Sequence, residues 1–107
     1  MRMPTKLRLN SRPWRVSIQG PSKMGDANGW CHYDKSQIHL LAGLDPVLRA
    51  ETALHELMHA VRHVQGHEYG AEVEEGYVRS LASGLIGAMR DNPEFFLWLF
   101  FTANHES

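Results

Sequence analysis

With one cysteine, Cys31, in 107 residues, the chain cannot close an internal disulfide. That excludes the stapled scaffold of small secreted domains and suits a reducing compartment. Long hydrophobic runs are missing too. The longest, Phe95 to Phe101, is far too short to span a bilayer, so no membrane partner is expected. The N-terminal stretch MRMPTKLRLNSRPWR is basic but lacks the apolar segment of a secretory signal, and the expected location is cytoplasmic. Repeats and low-complexity tracts are absent, and the length allows one minimal domain over residues 1–107. Up to Met24 there is no acidic residue, only six basic ones: Arg2, Lys6, Arg8, Arg12, Arg15 and Lys23. From Gly25 onward five basic and twelve acidic residues follow, for a net charge of −1. Six dispersed charges without a recognition motif argue poorly for nucleic acid, so the expectation is a basic strand over an acidic helical body.

The remaining pattern reads as α+β. Residues 14 to 19, Trp-Arg-Val-Ser-Ile-Gln, alternate apolar and polar like a half-buried strand, and the Gly/Pro/Asn-rich stretch from Gly20 to Gly29 reads as a loop. Trp30 to Tyr33 and Gln37 to Leu41 form a hairpin about Asp34-Lys35-Ser36, giving about three antiparallel strands. Asp45-Pro46 is a helix start, and no breaker follows from Val47 until Gly66, a C-terminal cap. Leu54, Leu57, Met58, Val61 and Val64 recur at helical spacing and are expected to face the core. A second, antiparallel helix is expected from about Ala71 to Arg90, with Val78, Leu81, Leu85 and Met89 on one face. Asp91-Asn92-Pro93 stops it and starts a short terminal helix, Glu94 to about Phe101.

Chemistry enters with His55-Glu56-Leu57-Met58-His59, an H-E-x-x-H sequence in the middle of the clearest helix. In a shuffled chain of this composition the motif arises with a probability of about 0.03. Four helical residues turn through about 400°, so both imidazoles sit on one side, a turn apart, and can share one ion. Glu56 stands about 100° around from His55 and can serve a water without taking a coordination position. Two imidazoles and a carboxylate suit zinc, with a place left for water and Glu56 as general base. A third ligand is required, and Glu72, Glu74, Glu75, His63 and His67 are in reach by spacing. A third histidine six residues after His59 is excluded, because Gln65 stands there. His63 lies on the stripe of His55 and His59, where a third ligand would strain a tetrahedral site, so it reads as a polar surface residue or a support to the ligands. His67 could line the cleft. An antiparallel return of the chain brings Glu74 or Glu75 back to the level of His59 and His63, with Glu74 nearest the centre of the apolar stripe and Glu75 at its edge.

From Gly29 to about Leu99 these residues resemble the small gluzincin-like metallopeptidases of phages and bacteria related to the ImmA/IrrE group. The resemblance rests on Gly29-Trp30-Cys31-His32-Tyr33-Asp34, Ile38-His39-Leu40, and Thr52-Ala53-Leu54-His55-Glu56-Leu57-Met58-His59-Ala60. It continues in Glu74-Glu75 before Leu81-Ala82-Ser83-Gly84-Leu85, and in Arg90-Asp91-Asn92-Pro93-Glu94-Phe95. It implies a zinc endopeptidase with a small antiparallel sheet over the metal helix, a protein or peptide substrate, and a glutamate ligand from the second helix. The family's spacing, counted back from Leu81-Ala82, lands on Glu75, although one extra residue keeps Glu74 as the alternative.

Cys31, beside Trp30 in an apolar strand, reads as core rather than as a thiol ligand. Tyr69 and Tyr77 are hydroxyl donors that could serve an oxyanion. Phe95 to Phe101 carries more apolar side chains than one face can bury, which reads either as a packed terminal helix with some exposed aromatics or as a partner interface, such as a homodimer through that helix. The rival to an enzyme is a non-enzymatic interaction module with a structural zinc site, against which the intact Glu56 argues.

Overall fold

The computed structural model describes residues 2–66 and 70–105. Its sheet starts earlier than the alternation suggests. Asn10 and Ser11 adopt positive φ (50° and 66°), the backbone of a tight two-residue hairpin turn. They join β1 (Lys6–Leu9) to β2 (Arg12–Gln19), which pair antiparallel with Leu7 opposite Trp14 and Lys6 opposite Arg15. Trp14 and Val16 are buried, whereas Lys6, Arg8 and Arg15 are exposed on the opposite, solvent side of this hairpin; Arg12, also exposed, sits at the end of the face that carries Trp14.

The stretch after β2 is not all loop, since Pro21–Met24 forms a single helical turn, α1, that buries Met24. The chain then runs as β3 (Gly29–His32), reverses through residues 33–36, and enters as β4 (Gln37–Leu41). Ser36 takes a positive φ of 53° in that reversal. β4 pairs antiparallel with β3, as its hairpin requires, and parallel with β2. The sheet thus has four strands in the order β1-β2-β4-β3 and is mixed, which corrects the expected three antiparallel strands. The physical reason is that the chain descends along the outer edge as β3 and returns in the gap beside β2. This long-range placement leaves no mark in local alternation. As an inner strand β4 buries Ile38, His39 and Leu40 consecutively, both faces being covered.

Three helices follow. α2 (Pro46–Gln65) opens where expected: Asp45 accepts the Leu48 N–H at 3.0 Å, and Pro46 occupies the first turn. It closes on Gly66 at φ 77°, whose N–H reaches the Arg62 and His63 carbonyls. α3 (Ala71–Asp91) and α4 (Pro93–Ala103) complete the chain, divided by Asn92-Pro93.

The buried positions of α2 are Thr52, Glu56 and Ala60, with Ala53 and Val64 packed on the core of Trp14, Val16, Ile38, Leu40 and Ala60. This corrects the expected core face: Leu54, Leu57 and Met58 are only half-buried, and Val61 is exposed. Close approach of the sheet explains it. A Cβ on Gly29 would lie 2.7 Å from Thr52 Cγ2 and 2.9 Å from the Glu56 carboxylate, so only a slim surface on α2 fits against β3. Of the four apolar residues expected on one face of α3, Val78 is buried, while Leu81, Leu85 and Met89 are partly exposed.

Candidate metal centre

His55, Glu56 and His59 project from the middle of α2, where helical spacing sets them about one turn apart. The first turn of α3 approaches from the other side. His55 Nε2 lies 2.8 Å from Glu75 Oε1, and His59 Nε2 lies 2.9 Å from Glu75 Oε2. The ligating atoms of His55, His59 and Glu75 all fall within 4.8 Å of one another, so the three could hold a metal ion. Neighbouring donors of a tetrahedral site with bonds of about 2.1 Å stand roughly 3.4 Å apart, so the two histidines would each draw back from Glu75 by about half an ångström to admit an ion. Two imidazole nitrogens and one carboxylate are a donor set that divalent transition metals take.

Glu74, the neighbour of Glu75, reaches the same histidine from behind. It is buried, accepts from His59 Nδ1 through one carboxylate oxygen, and pairs with Arg62 Nε through the other. A carboxylate on Nδ1 fixes the ring's orientation and leaves Nε2 to face Glu75 and the ion position. Arg62 in turn donates to the Tyr33 hydroxyl at 3.4 Å and stacks over that ring. The two acids that spacing left as alternatives are therefore both at the site, in different places. The helical step of about 100° between neighbours sends one to the front of His59 and the other behind it.

Burial governs the electrostatics. The Glu56 carboxyl is pushed up to about 7, mainly by desolvation and further by Glu75, with His59 pulling the other way. Desolvation also lowers the His55 pKa against the pull of Glu75, which keeps its ring in the neutral form that ligates. The Cys31 thiol is raised to about 12, again chiefly by burial. Cys31 packs against the core, consistent with a structural role.

These groups line an open cleft of about 800 Å³ between β3, α2 and α3. Its walls include Trp30, Tyr33 and Arg79, none of which spacing singled out as a site residue. Arg79 follows Glu75 by one helical turn and lies 3.6 Å from its carboxylate, and that i,i+4 spacing was the available signal. Arg62 likewise follows His59 at i+3. Of the other expected residues, Glu72 is exposed and outside the cluster, and Tyr77 is exposed and does not line the cleft. His63 stacks on Tyr33 at the surface, 4.5 Å between ring centres. His67 and Tyr69 lie outside the described residues. No family model matches the chain, and no curated protein or solved structure matches it either.

Proposed function

We propose that the chain is a minimal zinc-dependent metalloendopeptidase of the gluzincin-like kind its motifs resemble. The observation that carries this reading is the convergence of His55, His59 and Glu75 at the floor of a cleft, with the buried carboxyl of Glu56 beside them. Zinc held by those three residues would supply Lewis-acid polarisation of a carbonyl and acidification of a water. Glu56 is adjacent to a ligand but is not one of the converging three. In the metal-free protein burial pushes this acid up to about 7, and its carboxylate stands where it could take a proton from water and pass it to a leaving amine. Glu74 holds the His59 ring through Nδ1, and Arg62 holds Glu74. A peptide substrate suits the cleft because β3 lies at the edge of the sheet along its wall. Its outer backbone groups can pair with an extended chain.

A second reading, an interaction module with a structural metal, draws on the large apolar surface of α3 and α4. Elemental analysis of the purified protein together with a peptide-library digest separates the two. About one zinc per chain with cleavage that stops on chelation supports the peptidase. Zinc without cleavage of any peptide, by wild type and by Glu56→Gln alike, selects the module.

A further inference from the structure

The most apolar helix of the molecule has no buried residue. Around α4, Phe96 is the least exposed of the seven residues from Phe95 to Phe101, and Trp98 lies about 200° away from it on the helical wheel. Phe95 and Phe101 flank Trp98 at about 60° to either side, and the three are exposed at 56%, 65% and 58% for Phe95, Phe101 and Trp98. Phe95, Trp98 and Phe101 thus form a Phe-Trp-Phe ridge opposite Phe96, while Leu97 and Phe100 are exposed at 55% and 59% on other faces of the helix.

The sequence of this ridge has a symmetry of its own. Phe95-Phe96-Leu97-Trp98-Leu99-Phe100-Phe101 reads the same in both directions. In a two-fold contact between antiparallel helices crossing at Trp98, a residue n places before it meets the residue n places after it on the partner. A palindrome then sets side chains of equal size against each other: Trp98 on the partner's Trp98, and Phe95 on the partner's Phe101. Within the helix the polar end matches as well, since Glu94 meets the partner's Thr102. A parallel arrangement would instead stack Glu94 on its own copy. Antiparallel packing also sets the two helix dipoles head to tail.

We propose that two copies of this chain associate through α4 in that antiparallel, two-fold arrangement centred on Trp98. The exposed apolar side chains of α4 amount to on the order of 700 Å² per chain, about half of it on the Phe95-Trp98-Phe101 ridge, against roughly 800 Å² per partner in a standard interface. Charge selects against a lipid surface, because residues 91 to 105 contain no lysine or arginine with which an interfacial helix grips headgroups. This surface is independent of the metal centre.

Sedimentation equilibrium of the full chain, with and without Trp98→Glu, tests the association. A wild-type dimer is expected, weakened by about 30-fold or more in the variant, whose circular dichroism stays that of wild type. Orientation is read by oxidising cysteine variants made in a Cys31→Ser background. Trp98→Cys should cross-link to itself, and an equal mixture of Phe95→Cys and Phe101→Cys should form the mixed disulfide in preference to either homodimer. A wild type that stays monomeric up to high micromolar concentration overturns the proposal. So does Phe95→Cys cross-linking to itself as readily as to Phe101→Cys. Monomeric protein that co-sediments with phosphatidylcholine vesicles also overturns it, by assigning the face to lipid.

Discussion

α2 and α4 invert the usual relation between polarity and burial. α2 buries a threonine, a glutamate and an alanine, while its valine at position 61 is exposed. α4 is apolar at seven successive positions and buries none of them. The difference lies in where each helix sits. α2 is wedged between the sheet and α3, and the strand it meets approaches so closely at Gly29 that bulky residues do not fit. α4 packs chiefly against α3 and covers little of its ring of side chains there, so its apolar surface stays in water unless a second molecule covers it. Buried polar groups cost free energy unless they are partnered or functional, which is why α2 is where chemistry is sought.

The largest effect that would sharpen this contrast belongs to Glu56. Replacing it by Gln keeps size and hydrogen bonding but removes the base. Peptide cleavage is expected to fall by about 10²–10⁴-fold while metal content, read by elemental analysis, persists. Undiminished cleavage of a confirmed substrate would leave the buried glutamate without a catalytic role.

Next come the metal contacts. His55→Ala, His59→Ala and Glu75→Ala should each abolish stoichiometric metal. Glu74→Ala should weaken affinity by about 10–100-fold, because it removes only the support behind His59. A chelator competition titration measures both, and equal losses at Glu74 and Glu75 would erase the assigned division between them.

Protonation of Glu56 gives a smaller effect, on stability. Its carboxyl has an ordinary value of 4.5 and is raised to about 7 in the folded protein. Between those values the folded chain binds the extra proton, so the metal-free protein is stabilised below pH 4.5. That contribution declines as pH rises toward 7, by at most about 3 kcal/mol. His55 acts with the opposite sign: its pKa is lowered from 6.5 by burial, so stability is lost as pH falls below that value. Urea titrations of wild type and Glu56→Gln across this range isolate the glutamate. The variant should be the more stable of the two above pH 7.

Gly29→Ala attacks the close approach itself. The added methyl would meet Thr52 and Glu56 at 2.7 and 2.9 Å, for an expected cost of about 1–3 kcal/mol. Thermal melts should show a drop of several degrees. An unchanged melting point would mean that β3 yields freely. Smallest of all is Trp98→Glu on the isolated monomer, expected within about 0.5 kcal/mol of wild type in dilute denaturant titrations.

α2, α3, α4 and the pairing of His55 with His59 on one face are readable along the chain, since Asp45-Pro46, Gly66 and Asn92-Pro93 act through backbone geometry within a few residues, whereas the single turn of α1 hides in a stretch that reads as loop. The hairpin at Asn10-Ser11 was legible in principle, but Asn-Ser is a weaker turn signal than Asn-Gly. The core face of α2 does not follow from residue hydrophobicity, because the clearance left by Gly29 decides which side chains meet the sheet.

Local order therefore settles the helix limits, the one-turn spacing of His55 and His59, and the offset of Glu56, because a helix is closed by hydrogen bonds four residues apart. The parallel pairing of β2 with β4, the separate tasks of Glu74 and Glu75, and the chain from His59 through Glu74 and Arg62 to Tyr33 arise otherwise. They depend on residues far apart in the chain meeting at fixed distances. Only the packing of α2 against the sheet and α3 sets those distances.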